Sequence, residues 1–128
     1  MMQHSELVYV KKVRGKGRGV FARTAISRGT VIERIPVVVV PVKYIADGWK
    51  NPALSRYFFV RDHNNVALAL GYGSLYNHSF NPNAQYEDAY PLAMVFRAIR
   101  DIEKDEEITV NYNGDPKDKE TVGFDVVE

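Results

Sequence analysis

Gly71-Tyr-Gly-Ser-Leu-Tyr-Asn-His-Ser-Phe-Asn-Pro-Asn-Ala84 is a poor helix interior and a poor strand. Its two glycines admit unusual backbone angles, and Asn77, Asn81, Pro82 and Asn83 favour turns and local side-chain-to-backbone hydrogen bonds. Apolar runs flank it on both sides, Val66–Leu70 before and Leu92–Phe96 after. An irregular, amide-rich segment between two buried runs normally serves to place polar groups at a site. Asn77 and His78 are the groups being placed, and their partners must come from the rest of the chain.

The chain has 128 residues, enough for one domain with a real core and no room for a second. Apolar content of 45% and charged content of 26% fit a soluble globular protein. No apolar run approaches the roughly 20 residues of a membrane helix, and the N-terminus lacks a signal-peptide core. Cysteine is absent, which excludes disulfides and zinc–thiolate sites and suits a cytoplasmic or nuclear setting. The net charge of +1 hides an asymmetry: residues 1–64 carry 12 Lys/Arg against 4 Asp/Glu, and residues 65–128 carry 5 against 12. The halves thus hold +8 and −7. Nucleic acid would meet a basic arm joined to an acidic half, and that acidic half suits a basic peptide better.

Outward from the central stretch, the pattern is one of short strands. Leu7–Val10 reads as a strand, and Lys11–Gly19 as a basic, glycine-spaced turn. Val20-Phe-Ala22 follows with no helix signal, which argues against a Rossmann loop or a P-loop, since both open a helix after the glycines. The turn is either a plain reversal with solvated lysines or a place where backbone amides approach a ligand. Ile26–Thr30 turns about Gly29, Val31–Ile35 alternates only weakly, and Val37–Val40 between Pro36 and Pro41 reads as a β-branched strand. A short helix can start after Asn51-Pro52. Tyr57–Arg61 and Val66–Leu70 around Asp62–Asn65 predict a hairpin. Gln85–Glu87, Ala93–Ile99 and Glu106–Tyr112 are further strands, with a charged turn at Asp101–Asp105. The whole is β-dominated, with little helix and no repeat.

Asn77-His78 has two readings, a core histidine beside a turn asparagine or a pair of ligand-binding groups. A metal site lacks further ligands, because His4 lies near the terminus and His63 in a hairpin turn. No cysteine nucleophile and no Gly-x-Ser-x-Gly elbow exist, which disfavours acyl transfer. Tyr57, Tyr72, Tyr76, Tyr86 and Tyr112 flank or lie in apolar runs. They are either ordinary core tyrosines or the walls of an aromatic channel suited to an amine.

Three segments together carry a family resemblance. Lys16-Gly-Arg-Gly-Val-Phe-Ala22, Leu75-Tyr-Asn-His-Ser-Phe-Asn-Pro-Asn83 and Glu106-Glu-Ile-Thr-Val-Asn-Tyr112 stand in order at compact spacing. They resemble the motifs of the SET-domain protein lysine methyltransferases, across nearly the whole chain, and the short viral and bacterial members in particular. Ser74-Leu75 replaces an Arg-Phe pair frequent in the family, and no cysteine-rich zinc segment flanks the core. The resemblance implies a mainly β fold of small sheets (β-clip type), with a knot-like threading of the C-terminal segment near Asn77-His78. It implies a single SET domain over residues 1–128, with the core at about 6–114 and a tail, 115–128, without zinc.

The implied activity is methyl transfer from S-adenosylmethionine to the ε-amine of a lysine in a histone or other basic protein. Carried over by position, Lys16, Gly17, Arg18, Asn77 and His78 bind the cofactor, and Phe124 closes over its adenine. Tyr112 is the catalytic residue beside the methyl group, and Tyr57, Tyr86 and Val110 shape the lysine channel. The smallest SET proteins can dimerise, and Val122–Val127 can supply an apolar edge. The alternatives are a non-catalytic module of the same fold that holds a basic peptide or nucleic acid, and methylation of a small amine.

Overall fold

The computed structural model describes residues 6–45, 57–89 and 91–120. Strands β1 (Val8–Val13) and β2 (Gly17–Ala22) form an antiparallel hairpin with Val13 opposite Gly17. The reversal takes only residues 14–16, closed by the Lys16 N–H donating to Val13 O at 3.0 Å. Most of the basic segment expected as a turn is therefore strand. The glycines let β2 run close under its neighbours.

β3 (Val31–Pro41) joins into one strand the two runs separated by Pro36. Residues up to Pro36 pair with β8 (Ala93–Ala98), and residues from Val37 onward pair with β5 (Asn65–Ala69). Proline has no N–H to offer, but its carbonyl still accepts the Leu70 N–H at 3.1 Å where the chain passes between partners. β4 (Phe58–Val60) and β5 make the expected hairpin, whose turn is tied by Asp62 Oδ1 accepting from Asn64 N–H at 2.8 Å. With β7 (Ala84–Ala89) the sheet runs β4-β5-β3-β8-β7. The second sheet, β1-β2-β9-β6, adds β6 (Asn77–His78) and β9 (Glu107–Val110). One turn of 3-10 helix, Val42–Tyr44, is the helical content among the described residues. The helix expected after Pro52, the strand-like run in 122–126 and Phe124 lie outside them.

β6 and β9 pair in parallel, whereas the other strand pairings among the described residues are antiparallel. Beyond β9 the chain passes beside His78, and it then returns over the motif, with Lys119 Nζ donating to Phe80 O at 2.7 Å. A parallel seam with a later crossing beside it is the arrangement that the knot-like threading requires.

The core lies between the sheets and is built from Val8, Val20, Ile35, Phe96, Ile108 and Val110 with their neighbours. Asn83 and Glu33 are among the polar side chains buried with it. Asn83, 1% exposed, donates from Nδ2 to Glu106 Oε2 at 2.9 Å and Glu107 O at 2.8 Å, and its Oδ1 accepts the Thr109 N–H at 2.9 Å. Glu33, 4% exposed, points inward with Ile35 and Val37 at strand spacing, while a bulge between Val31 and Glu33 turns Ile32 inward as well. That bulge is why the segment alternates so weakly in sequence. Glu33 Oε1 accepts the Tyr76 hydroxyl at 2.8 Å, and Tyr76 stacks on Phe96 at 4.4 Å and 12°.

Asn83→Ala would strand a buried amide and a carboxylate together, and the expected loss is about 3 kcal/mol in urea unfolding; a change below about 0.5 kcal/mol would contradict the clasp. Burial raises the Glu33 carboxyl from 4.5 to about 7, against weaker lowering by the Tyr76 hydroxyl and the Tyr72 N–H. A carboxyl raised on folding stabilises fully below its unfolded value and loses that contribution as pH climbs through its folded value. Stability should therefore fall by about 3 kcal/mol between pH 4.5 and 7.5 from this group, and Glu33→Gln should flatten that slope in pH-dependent unfolding.

Candidate active site

The parallel seam sets Asn77 opposite Thr109 and His78 opposite Val110. Asn77 uses both protons of its amide inward, with Nδ2 donating to Arg18 O at 2.9 Å and to Glu107 Oε2 at 2.7 Å. The other oxygen of Glu107 accepts from Lys16 Nζ at 3.3 Å in a largely shielded ion pair. Gly19 makes this closeness possible. A Cβ there would stand 2.6 Å from Glu107 Oε2 and 2.9 Å from Asn77 Nδ2. The β1–β2 hairpin, β6 and β9 are thus fastened by one carboxylate.

On the other side of the seam, His78 is 3% exposed, and its Nδ1 accepts the Tyr112 N–H at 3.0 Å. An accepting Nδ1 assigns the ring proton to Nε2. Phe80 meets the imidazole edge-on at 4.4 Å, and the Tyr112 ring lies 5.3 Å away. The Tyr112 hydroxyl donates to Tyr76 O at 2.6 Å, which commits its proton and leaves the oxygen lone pairs as acceptors. Its backbone carbonyl accepts the Tyr86 hydroxyl at 3.1 Å. Tyr86 packs edge-on against Phe59 at 4.6 Å, and its hydroxyl is pushed up to about 12, chiefly by burial and then by Asp88. It stays protonated at neutral pH.

Of the residues singled out in sequence, Lys16, Arg18, Asn77, His78, Tyr86 and Tyr112 converge on this seam. Gly17 sits at the hairpin turn with open space beside it, and Val110 is wholly buried beneath the seam. Tyr57 is 42% exposed before β4, and Phe59 is the side chain of that hairpin that reaches Tyr86. Glu107, Asn83 and Glu33 were not singled out as site residues. The adjacent Glu106-Glu107 pair at the start of an alternating run was a signal for the first two, although β9 itself begins at Glu107. Inward spacing with Ile35 and Val37 was the signal for Glu33. Among the described residues, no helix is long and apolar enough to cross a membrane, and no three His, Cys, Asp or Glu side chains are grouped to hold a metal ion.

Comparison with known proteins agrees with this geometry. The SET-domain family profile matches residues 17–113, which run from the tip of the hairpin to the residue after Tyr112. A histone-lysine N-methyltransferase of Schizosaccharomyces pombe, specific for H3 lysine 37, is 31% identical over 104 residues, 80% of this chain and 71% of that protein. A crystal structure of a candidate histone methyltransferase from Plasmodium falciparum superposes with a TM-score of 0.71 at 32% identity, covering 86% of this chain and 94% of the other. The chain belongs to the SET-domain family of protein-lysine methyltransferases.

Proposed function

We propose that the protein transfers a methyl group from S-adenosylmethionine to the ε-amine of a lysine in a basic protein, with histones the first substrates to test. The observation that carries this reading is the convergence of the β1–β2 hairpin and Tyr112 on either side of Asn77-His78. The histone-lysine specificity of the S. pombe relative supports the substrate class. So does the acidic balance of residues 65–128, which matches a basic peptide.

The donor set fits the cofactor. With Nδ2 engaged, the side-chain carbonyl oxygen of Asn77 is the acceptor this residue could offer an ammonium group, and the Lys16 and Arg18 cations at the hairpin suit a carboxylate. Oxygen atoms and ring faces at Tyr112, His78 and Phe80 suit a sulfonium. When bound, the cofactor supplies an electrophilic methyl group on positively charged sulfur. The chain's own task is alignment, because direct displacement needs the amine in line with the bond being broken. With its proton held by Tyr76 O, the Tyr112 hydroxyl oxygen can accept weak C–H contacts and fix the direction of approach.

The incoming lysine must be neutral. At an ordinary value of about 10.4, only one amine in a few thousand is neutral at pH 7, a cost of between about 4 and 5 kcal/mol. In this reading the lysine enters beside Tyr86 and Phe59, whose packed rings would strip water from the ammonium and favour its neutral form. Tyr86 keeps its own proton and so serves as a wall, not a base.

Incubation with methyl-labelled cofactor and core histones, read by mass spectrometry, should place label on lysine. Peptide binding without transfer would support a binding module instead. Tyr112→Phe should lower kcat at least about a hundredfold with cofactor Kd within threefold, and full turnover in that variant would remove Tyr112 from the reaction. Asn77→Ala should weaken cofactor binding by about tenfold in calorimetry, the worth of a charge-assisted hydrogen bond.

A further inference from the structure

We propose that Glu33 is a positioning residue for methyl transfer: through the Tyr76 hydroxyl and the turn that precedes β6, it fixes the carbonyl that holds the Tyr112 hydroxyl. This rests on the methyltransferase reading above. Glu33 touches neither substrate nor cofactor in that reading, and acts through Tyr76.

The links are continuous. Glu33 Oε1 accepts the Tyr76 hydroxyl at 2.8 Å, and the Tyr72 N–H also bears on the carboxyl, favouring its charged form. Its two partners therefore bracket the segment that delivers Asn77 and His78. The turn between them is closed by Gly73 N–H to Leu70 O at 3.1 Å and Leu75 N–H to Tyr72 O at 2.9 Å. It lies directly on β3: a Cβ at Gly71, whose φ is +60°, would come within 2.9 Å of Ile35 Cγ2 and 3.7 Å of Glu33 Oε2. Tyr76 is 1% exposed and clamped against Phe96, so its ring has no other resting place. Its carbonyl, at the far end of the same residue, takes the Tyr112 hydroxyl at 2.6 Å. A shift of that carbonyl moves the hydroxyl oxygen, and in-line displacement is sensitive to fractions of an ångström.

Ionisation should tune this support. The Tyr76 hydroxyl hydrogen bond favours the charged form of Glu33 and is stronger to it, the Tyr72 N–H acts in the same direction, and burial opposes the charge and brings the balance to about 7. The groups facing Glu33 are Phe96 across from β8, Ile35 along β3, and Gly71, Tyr72 and Tyr76 from the turn. The titratable ones are the two tyrosines, and Tyr76 is held well above its ordinary range by burial and by Glu33 itself. It keeps its proton while Glu33 titrates, so the support is tighter above pH 7 than below.

The test compares wild-type protein, Glu33→Gln and Tyr76→Phe. The amide mimics the protonated carboxyl, and the phenylalanine keeps the ring and backbone but cuts the link. Taking the ratio of wild-type to Glu33→Gln kcat at each pH cancels the substrate amine's own titration. If full ionisation is worth about tenfold, that ratio should climb from about twofold at pH 6 to about ninefold at pH 8, with KM values within twofold. Tyr76→Phe should lose about tenfold in kcat, with thermal unfolding confirming that both variants are folded. In parallel, the ring carbon-13 resonance of Tyr112 should titrate near pH 7 in wild-type protein and lose that step in Glu33→Gln. A ratio that stays flat with pH, a Tyr112 resonance blind to Glu33, or full turnover in Tyr76→Phe would each overturn the proposal. Wild-type protein that transfers no methyl while its Tyr112 resonance still follows Glu33 would overturn the proposed function and support the linkage.

Discussion

Two residues of parallel sheet, Asn77-His78 against Thr109-Val110, carry the arrangement of everything around them. A seam that short is weak as backbone pairing, and parallel pairing is the less stable kind. Side chains reinforce it from both ends. Asn83 clasps the backbone of Glu107 and Thr109, and Glu107 in turn holds Asn77 and Lys16. The Asn-rich sequence of this stretch is thus a set of fasteners for strands that would otherwise slide. The fasteners commit the Asn77 amide N–H groups and the His78 Nδ1 to holding the strands together.

The chemistry assigned to that site needs orientation more than it needs a strong base. Its polar groups agree. The Tyr112 proton is held by a carbonyl, the Tyr86 hydroxyl is held neutral by burial, and His78 accepts from a backbone N–H. None is poised to remove a proton at neutral pH by itself. What these residues offer are oxygen lone pairs and aromatic walls, the features that align an electrophilic methyl group and desolvate an amine.

Much of this was legible in the sequence. The amide-rich stretch between two apolar runs pointed to a site, and three motifs in order pointed to the fold and to Tyr112. The hairpin at Asp62–Asn65 followed directly from its polar turn between apolar strands. Other features needed three dimensions. The reach of β1 and β2 into the basic segment was hidden because lysines and glycines carry no alternation when one strand end projects into solvent. β3 was split in two because Pro36 looked like a break, whereas it sits where the strand changes partners and gives up no needed N–H. Glu33 keeps period-two spacing with Ile35 and Val37, but the bulge before it turns Ile32 inward as well and masks that spacing on the other side. A polar residue at an inward position is the kind of local conflict that marks functional sites.

The central claim is that Asn77-His78 forms one wall of a cofactor site completed by the β1–β2 hairpin and Tyr112. Backbone amide NMR during titration with S-adenosylmethionine tests it most directly. The account predicts that the largest shifts gather at Lys16–Gly19, Asn77, His78 and Tyr112, with smaller changes at the Asp62–Asn65 turn. Saturable shifts centred elsewhere, or no shifts at millimolar cofactor, would contradict it.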